Sequence, residues 1–453
     1  MVVLISFTCF VASCSDDDNE ENASIDTVNQ FDNMKISDNL VREKIVVISD
    51  IHLGADLSYS ENTKHLSRLE QFLNEVRKSQ TVKELVIGGD MLDGWYIPTR
   101  SNSYAGGAQV DFVKRIAKAN RMVIDAICNI IKEGKIKVTY VPGNHDMLFT
   151  ASDVESIMPG IHQARDANRP LLGTYYPDGF PQIAIEHGHR YDFFSNLDPY
   201  DNQDIAPGTI LPPGYFFARI AANSFVNQIA KSAATQVPAI TLNSTTLEQK
   251  AKYLYYYGWK YCLDNLIWVN DNFDEKIIVT HLDGFTDTLS VKDILPYNDE
   301  NGLIQTKMYK DAFTQENWNK RLRYNNVPVM TNVADAVIGS LKTQFIDNMS
   351  NVQYFNNPQS NVRIVVFGHT HIPMMRTYTN AQGEACVYVN TGTWEDKKLR
   401  TLDAENGVSV DQDSMNMDFA VITPRDDDKS AIYVGLYKYN YGTFTRVADQ
   451  SIK

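Results

Sequence analysis

Five apolar runs punctuate the chain, and each ends abruptly in polar residues: IVVISD (45–50), LVIGGD (85–90), VTYVPGNHD (138–146), IIVTH (277–281) and IVVFGH (364–369). Val/Ile runs without polar alternation are the pattern of strands covered on both faces. Between the first two lies HLSRLEQFLNEV, where Leu66, Leu69, Leu73 and Val76 recur at helical spacing. A second amphipathic stretch covers 110–132, with Phe112, Ile116, Val123 and Ile127 in its stripe. Strand alternating with helix predicts a layered α/β core. After residue 375, ACVYVN, FAVIT and AIYVGLYKY predict strands that finish the domain.

Two segments leave that rhythm. Residues 197–272 open Pro/Gly-rich and continue with helical patterns at about 215–234 and 246–270, the second holding YLYYYGWKY (253–261). They predict a helical insertion whose rings either pack in a core or cap a site for an apolar or base-bearing substrate. The N-terminal MVVLISFTCFVASCSDDDNEEN has an apolar run at 2–12, too short to cross a bilayer, followed by small residues as in a secretory leader. Val11-Ala12-Ser13-Cys14 resembles the bacterial lipobox, and the acidic stretch behind it resembles the tether of Bacteroidetes surface lipoproteins. The expected organisation is a signal peptide at 1–13, a lipid on Cys14, an acidic disordered tether over 14–43 and one domain over 44–453. Such a chain would sit in the cell envelope, anchored by lipid, with the outer membrane as the expected address.

Composition narrows the classes. With 453 residues, 43% of them hydrophobic, a large core is easily built. A net charge of −14 without a basic stripe argues against a grip on nucleic-acid phosphates. Five scattered cysteines without C-x-x-C spacing give neither a disulfide framework nor a thiolate zinc site.

In open α/β sheets ligands bind beyond the carboxyl ends of the strands. There the chain places Asp50 and His52 (SDIH), Asp90 (GGD), Asn144, His145 and Asp146 (GNHD), then His187 and His189 (EHGHRYD), His281 (VTH), and His369 and His371 (GHTH). Seven of the nine histidines fall in these motifs, and His65 and His162 read as ordinary surface residues. Carboxylates, imidazoles and a carboxamide without thiolate suit Mn, Fe or Zn. Seven ligands are too many for one tetrahedral ion and fit two ions that share a bridge. His369 and His371, of one parity in an extended turn, are expected to face adjacent ions. The rival reading, buried polar groups satisfied only by each other, would be very costly for so large a set.

The order Asp-x-His, Gly-Asp, Gly-Asn-His-Asp, His, Gly-His-x-His resembles the calcineurin-like metallophosphoesterase family over roughly residues 44–395. The resemblance implies an α/β/β/α sandwich and hydrolysis of a phosphate ester by direct in-line attack of a hydroxide held between two divalent ions. It further implies a first ion on Asp50, His52, bridging Asp90 and His371, and a second on Asp90, Asn144, His187 and His369. His145 matches the family's catalytic imidazole, with Asp146 orienting it and Asp93 a hydrogen-bond partner. Two segments fit the fourth block. PQIAIEHGHRYD resembles the His-Gly-Asp variant of the UDP-diacylglucosamine pyrophosphatase branch, which also carries a helical insertion after it, and favours His187. EKIIVTHLDG, a strand ending in His shortly before Gly-His-x-His, favours His281; His187 is preferred. His189 and Arg190 read either as strand-end surface residues or as a supporting neighbour and a phosphate contact.

Phosphomonoesterases, phosphodiesterases and pyrophosphatases share these ligands, and the expected substrate is a phosphorylated small molecule or a lipid-linked one. Two other classes compete. One is an inactive scaffold on the same fold, which would typically lack ligands that are all present here. The other is a metal-dependent nuclease, which the acidic balance opposes.

Overall fold

The computed structural model describes residues 29–34, 41–329, 331–396, 417–425 and 430–453. The expected signal peptide, Cys14 and most of the expected tether lie outside them. In strand β1 (Lys44–Ile48), Ile45 and Val47 enter one apolar cluster while Val46 and Ile48 enter another, and all four are buried. That two-sided burial explains why the run shows no polar alternation.

Strand β1 sits inside a seven-stranded sheet. Beside it lie β2 (Val82–Gly88), β3 (Lys137–Val141) and β4 (His162–Gln163), all parallel. A second sheet of five strands contains β5 (Thr174–Tyr175), β6 (Ile183–Glu186), β7 (Ile364–Phe367), β8 (Met374–Thr379) and β9 (Ala385–Asn390), in the order β8-β9-β7-β6-β5. Strands β10 (Asp418–Pro424), β11 (Ile432–Asn440) and β12 (Thr443–Ile452) complete the first sheet as an antiparallel edge, in the order β12-β11-β10-β1-β2-β3-β4. The sheets face each other through Ile45, Val47, Ile183, Ile185, Val366 and Val389. Helix α1 (Leu66–Lys78) buries Leu69, Phe72, Leu73 and Val76 in the cluster that also holds Val46 and Ile48. The layers are those of an α/β/β/α sandwich, as expected.

The expected helix over 110–132 is two helices, α2 (Gln109–Ala119) and α3 (Arg121–Glu133). Asn120 separates them because its carboxamide donates to Gly54 O at 2.8 Å and Ile116 O at 2.9 Å, competing with the helix backbone. IIVTH is not a core strand. Only Ile278–Val279 pair, with Thr288–Leu289, in a ribbon outside both large sheets, and β6 takes the sheet position instead. An apolar run alone cannot distinguish a sheet strand from a segment buried under helices. The acidic N-terminal stretch also contains an anchored piece: Phe31 is fully buried against Phe72, Phe419 and Phe444, and its carbonyl accepts from Lys44 Nζ at 2.8 Å. His65 is buried rather than superficial, with Nδ1 3.1 Å from Trp394 O, whereas His162 is exposed.

Between β6 and β7 the chain is mainly helical, with α4 (Pro213–Val226) and α5 (Leu247–Asn265) as its longest helices. Shorter helices at Gln315–Tyr324, Val333–Gly339 and Thr343–Ser350, which the sequence pattern did not flag, extend this helical region past residue 272. Arg219 on α4 ties it to the core. Fully buried, it donates to the carbonyls of Ile97 at 2.7 Å, Ser101 at 2.7 Å and Val279 at 3.1 Å. Those carbonyls belong to the loop that follows Asp90 and to the 277–281 segment, so the insertion is fixed against the strand ends. Among the described residues, no helix is long and apolar enough to cross a membrane.

Candidate metal centre

The carboxyl ends of β1, β2, β3, β6 and β7 converge, and their polar residues brace one another. Asp50 accepts the His369 amide on both oxygens, at 3.0 and 3.1 Å, linking the end of β1 to the end of β7. Asp90 Oδ1 accepts the His145 amide at 2.8 Å, linking β2 to the loop after β3. Two glycines make this closeness possible. A Cβ on Gly368 would strike the Asp50 carboxylate, and one on Gly143 would strike that of Asp90.

Five predicted ligands stand in left-handed backbone: Asp50 (φ 52°), His52 (50°), Asp90 (50°), His369 (69°) and His371 (59°). Each such non-glycine residue costs about 1–2 kcal/mol, a strain characteristic of functional sites. It also corrects the expectation for GHTH, which is no extended turn in which parity decides direction. The two histidines still diverge: His371 Nε2 lies 3.1 Å from Asp50 Oδ1, while His369 Nε2 lies 3.0 Å from Asp192 Oδ2.

Among the described residues three groups of side chains could hold a cation: Asp50–His52–His371, the adjoining Asp90–His187–His369, and His52–Glu61–Asp93–His145, which shares His52 with the first. His52 Nε2 is 4.0 Å from Asp50 Oδ1 and 3.7 Å from Asp90 Oδ2. His187 Nε2 is 3.1 Å from both Asp90 Oδ2 and Asn144 Oδ1, and 3.9 Å from Asp50 Oδ1. Atoms bound to one ion at about 2.0–2.2 Å lie about 3.0–3.5 Å apart, so the two 3.1 Å spacings at His187 fit a common cation and the longer ones would have to close on it.

The proton positions point the same way. His187 Nδ1 is 3.0 Å from Gly88 O, which can only accept, so Nδ1 carries the hydrogen. In the neutral ring Nε2 then directs a lone pair at three oxygens, which only a positive charge between them reconciles. Burial alone would lower the His187 imidazolium, but the charges of Asp90 and Asp50 lift it to about 9. The carboxylate field therefore favours a proton or, equally, a metal cation. By donor chemistry and by geometry these residues fit divalent ions.

Of the two candidates for the fourth block, His187 is buried within the cluster, whereas His281 is exposed and in none of the metal-competent groups among the described residues. His189 is buried, its ring 5.4 Å from that of His187, and burial together with the charges of His187 and His369 keeps it neutral. Arg190 is buried in ion pairs with Glu186 at 2.8 Å and Asp166 at 3.2 Å, which occupy it structurally.

His145 lines the cavity, stacked on Trp95 at 4.9 Å between ring centroids. Its Nδ1 lies 3.0 Å from Asp93 Oδ1, and that oxygen also accepts the Trp95 and Tyr96 amides at 2.8 Å each. Burial would lower the His145 imidazolium, yet the charges of Asp93 and Asp90 hold it up at about 8. The expectation that Asp146 orients this ring is not met. Asp146 accepts the amides of Gly143 and Met91 instead, bracing the GNHD loop against the end of β2.

Three carboxylates at the site were not singled out in the sequence. Glu61 lies 3.6 Å from His52 Nδ1, Glu395 lies 3.1 Å from His52 Nε2, and Asp192 contacts His369. Glu395 follows the ACVYVN run in VNTGTWE, the same strand-end signal that marked the other ligands. Glu61 and Asp192 sit in loops without such a signal.

A cavity of about 320 Å³ opens from this centre. Its lining joins the polar Asp90, Asn144, His145, His369 and His371 with the apolar Phe194, Phe217, Trp259, Leu341 and Ile346. Within YLYYYGWKY both expected roles occur: Tyr255 and Tyr256 are core, while Trp259 reaches the cavity wall.

Comparison with known proteins supports the same reading. Residues 43–224 match the family model for calcineurin-like phosphoesterases. No curated protein matches the sequence. Among solved structures, a single mutant of Vps29 from Entamoeba histolytica aligns over 90% of this chain and 99% of its own, at 9% identity and a TM-score of 0.26, a likeness too slight to bear on function. The likeness to calcineurin-like phosphoesterases thus covers residues 43–224, less than half of the chain, and the layered architecture agrees with it.

Proposed function

We propose that the protein is a dinuclear-metal phosphoesterase whose substrate carries a bulky apolar or lipid-like group. The observation that carries this reading is the pair of adjoining metal-competent groups, Asp50–His52–His371 and Asp90–His187–His369, with the Asp90 carboxylate within 3.7 Å of His52 and 3.1 Å of His187. Asn144 joins the second group. Two divalent ions, Mn, Fe or Zn, would supply Lewis acidity and bring a water's pKa toward neutrality.

The chain's own groups do the rest. His145 donates Nδ1–H to Asp93, which fixes its tautomer and leaves Nε2 for the cavity. Protonated, His145 can neutralise developing charge or deliver a proton to the leaving oxygen. Asp146 serves indirectly, by holding the loop that carries Asn144 and His145. Phe217, Trp259 and Leu341 in the cavity lining would give an apolar group of the substrate a place to bind. Anchoring through a lipid on Cys14 would set this cavity beside a membrane in the cell envelope, where lipid-linked phosphates are within reach. The full ligand set favours an enzyme over a scaffold, and the net charge of −14 disfavours a nuclease.

A substrate panel of phosphomonoesters, phosphodiesters and pyrophosphates, with and without restored Mn²⁺, tests the proposal. Metal-dependent turnover that vanishes in Asp90→Ala is expected. Full metal-dependent activity in Asp90→Ala, or none in the wild type, contradicts it.

A further inference from the structure

His52 is fully buried, and its Nδ1 lies 3.4 Å from Asp93 Oδ2, an ionised oxygen that can only accept. Nδ1 therefore carries a hydrogen, and in the neutral ring, the form that binds a metal, Nε2 is a lone pair. That nitrogen makes no hydrogen bond among the described residues, yet Glu395 Oε1 stands 3.1 Å from it. Two lone pairs at this separation repel unless positive charge lies between them.

We propose that Glu395 is a further ligand, through Oε1, of the cation clasped by Asp50, His52 and His371. The inference rests on the two-ion reading above and adds a residue to it. Glu395 is 3% exposed, and its other oxygen lies 3.3 Å from His371 Nδ1. One carboxylate thus both binds the ion and orients a neighbouring ligand imidazole, a task usually left to an outer group.

The backbone holds it in place for this. The Trp394 amide donates to Asp50 O at 3.0 Å, the Thr393 hydroxyl donates to the same carbonyl at 2.9 Å, and the Glu395 amide donates to that hydroxyl at 3.0 Å. The loop after β9 is therefore clipped to the residue that supplies the first carboxylate. A third carboxylate beside Asp50 and Asp90 makes this half of the centre oxygen-rich and anionic, a donor set suited to Mn²⁺ or Fe rather than Zn²⁺.

Cobalt(II) loaded into the full-length protein separates a ligand from a mere hydrogen-bond partner. Glu395→Gln keeps the shape and the hydrogen bond to His371 but weakens metal ligation. Cobalt affinity at one of two sites is expected to fall by at least the roughly 10–100-fold that loss of an outer partner costs. The visible d–d bands of that site are expected to strengthen as its coordination number drops. Glu395→Asp, which draws the carboxylate back by one methylene, gives the same comparison should the glutamine variant not fold. Unchanged bands and affinity at two occupied sites overturn the role of Glu395 and leave the two-ion reading intact. Failure of the wild type to take up two equivalents overturns both.

Discussion

Asp93 shows how much a single carboxylate can organise. It receives His145 Nδ1 on one oxygen and faces His52 Nδ1 on the other, so it sets the tautomer of the cavity imidazole and of a candidate ligand together. Asp93→Asn leaves an acceptor but removes the charge that holds His145 protonated. Turnover at saturating metal is expected to fall about 10–100-fold with the melting temperature little changed, as steady-state kinetics and thermal unfolding would show. Turnover equal to the wild type would remove Asp93 from the mechanism. The sequence displays Asp50, His52, Asp90, Asn144, His369 and His371 because each ends an apolar run. It does not display that His145 leans on Asp93, 52 residues earlier, rather than on adjacent Asp146. Chain neighbours are visible in a sequence, but a loop folding back across the end of β2 is not.

Strands buried on both faces were readable as elements from their unalternating Val/Ile runs, and β1, β2, β3, β7 and β9 fall where the runs do. IIVTH shows the limit, since a short apolar run under helices looks the same. The insertion was legible as helical, but its role depends on which side of each helix meets the cavity. On α4, Arg219 faces the core while Phe217 faces the cavity. Phe217 is only partly buried, so Phe217→Ala should spare the fold while removing apolar contact worth about 1–2 kcal/mol. The KM for a phosphoester with a long alkyl or large aromatic group is expected to rise about tenfold, with no change for a small one such as methyl phosphate. An equal effect on both substrates would mean that α4 supports the centre rather than the substrate.

For the whole molecule, the sandwich places every ligand-bearing strand end on one rim, and the helical region between β6 and β7 walls that rim with apolar side chains. Strained backbone at five positions, carboxylates braced by amides across two sheets, and imidazoles whose lone pairs converge on oxygens all make sense together only around positive charge. Length and composition allow one large domain with insertions or two domains, and the acidic balance argues against a grip on nucleic-acid phosphates. The most direct test is anomalous diffraction from crystals grown with Mn²⁺, recorded at the manganese edge. Two peaks about 3.5–4 Å apart, flanking the Asp90 carboxylate between His52 and His187, are the predicted result. One peak, or none, at that position would contradict the account.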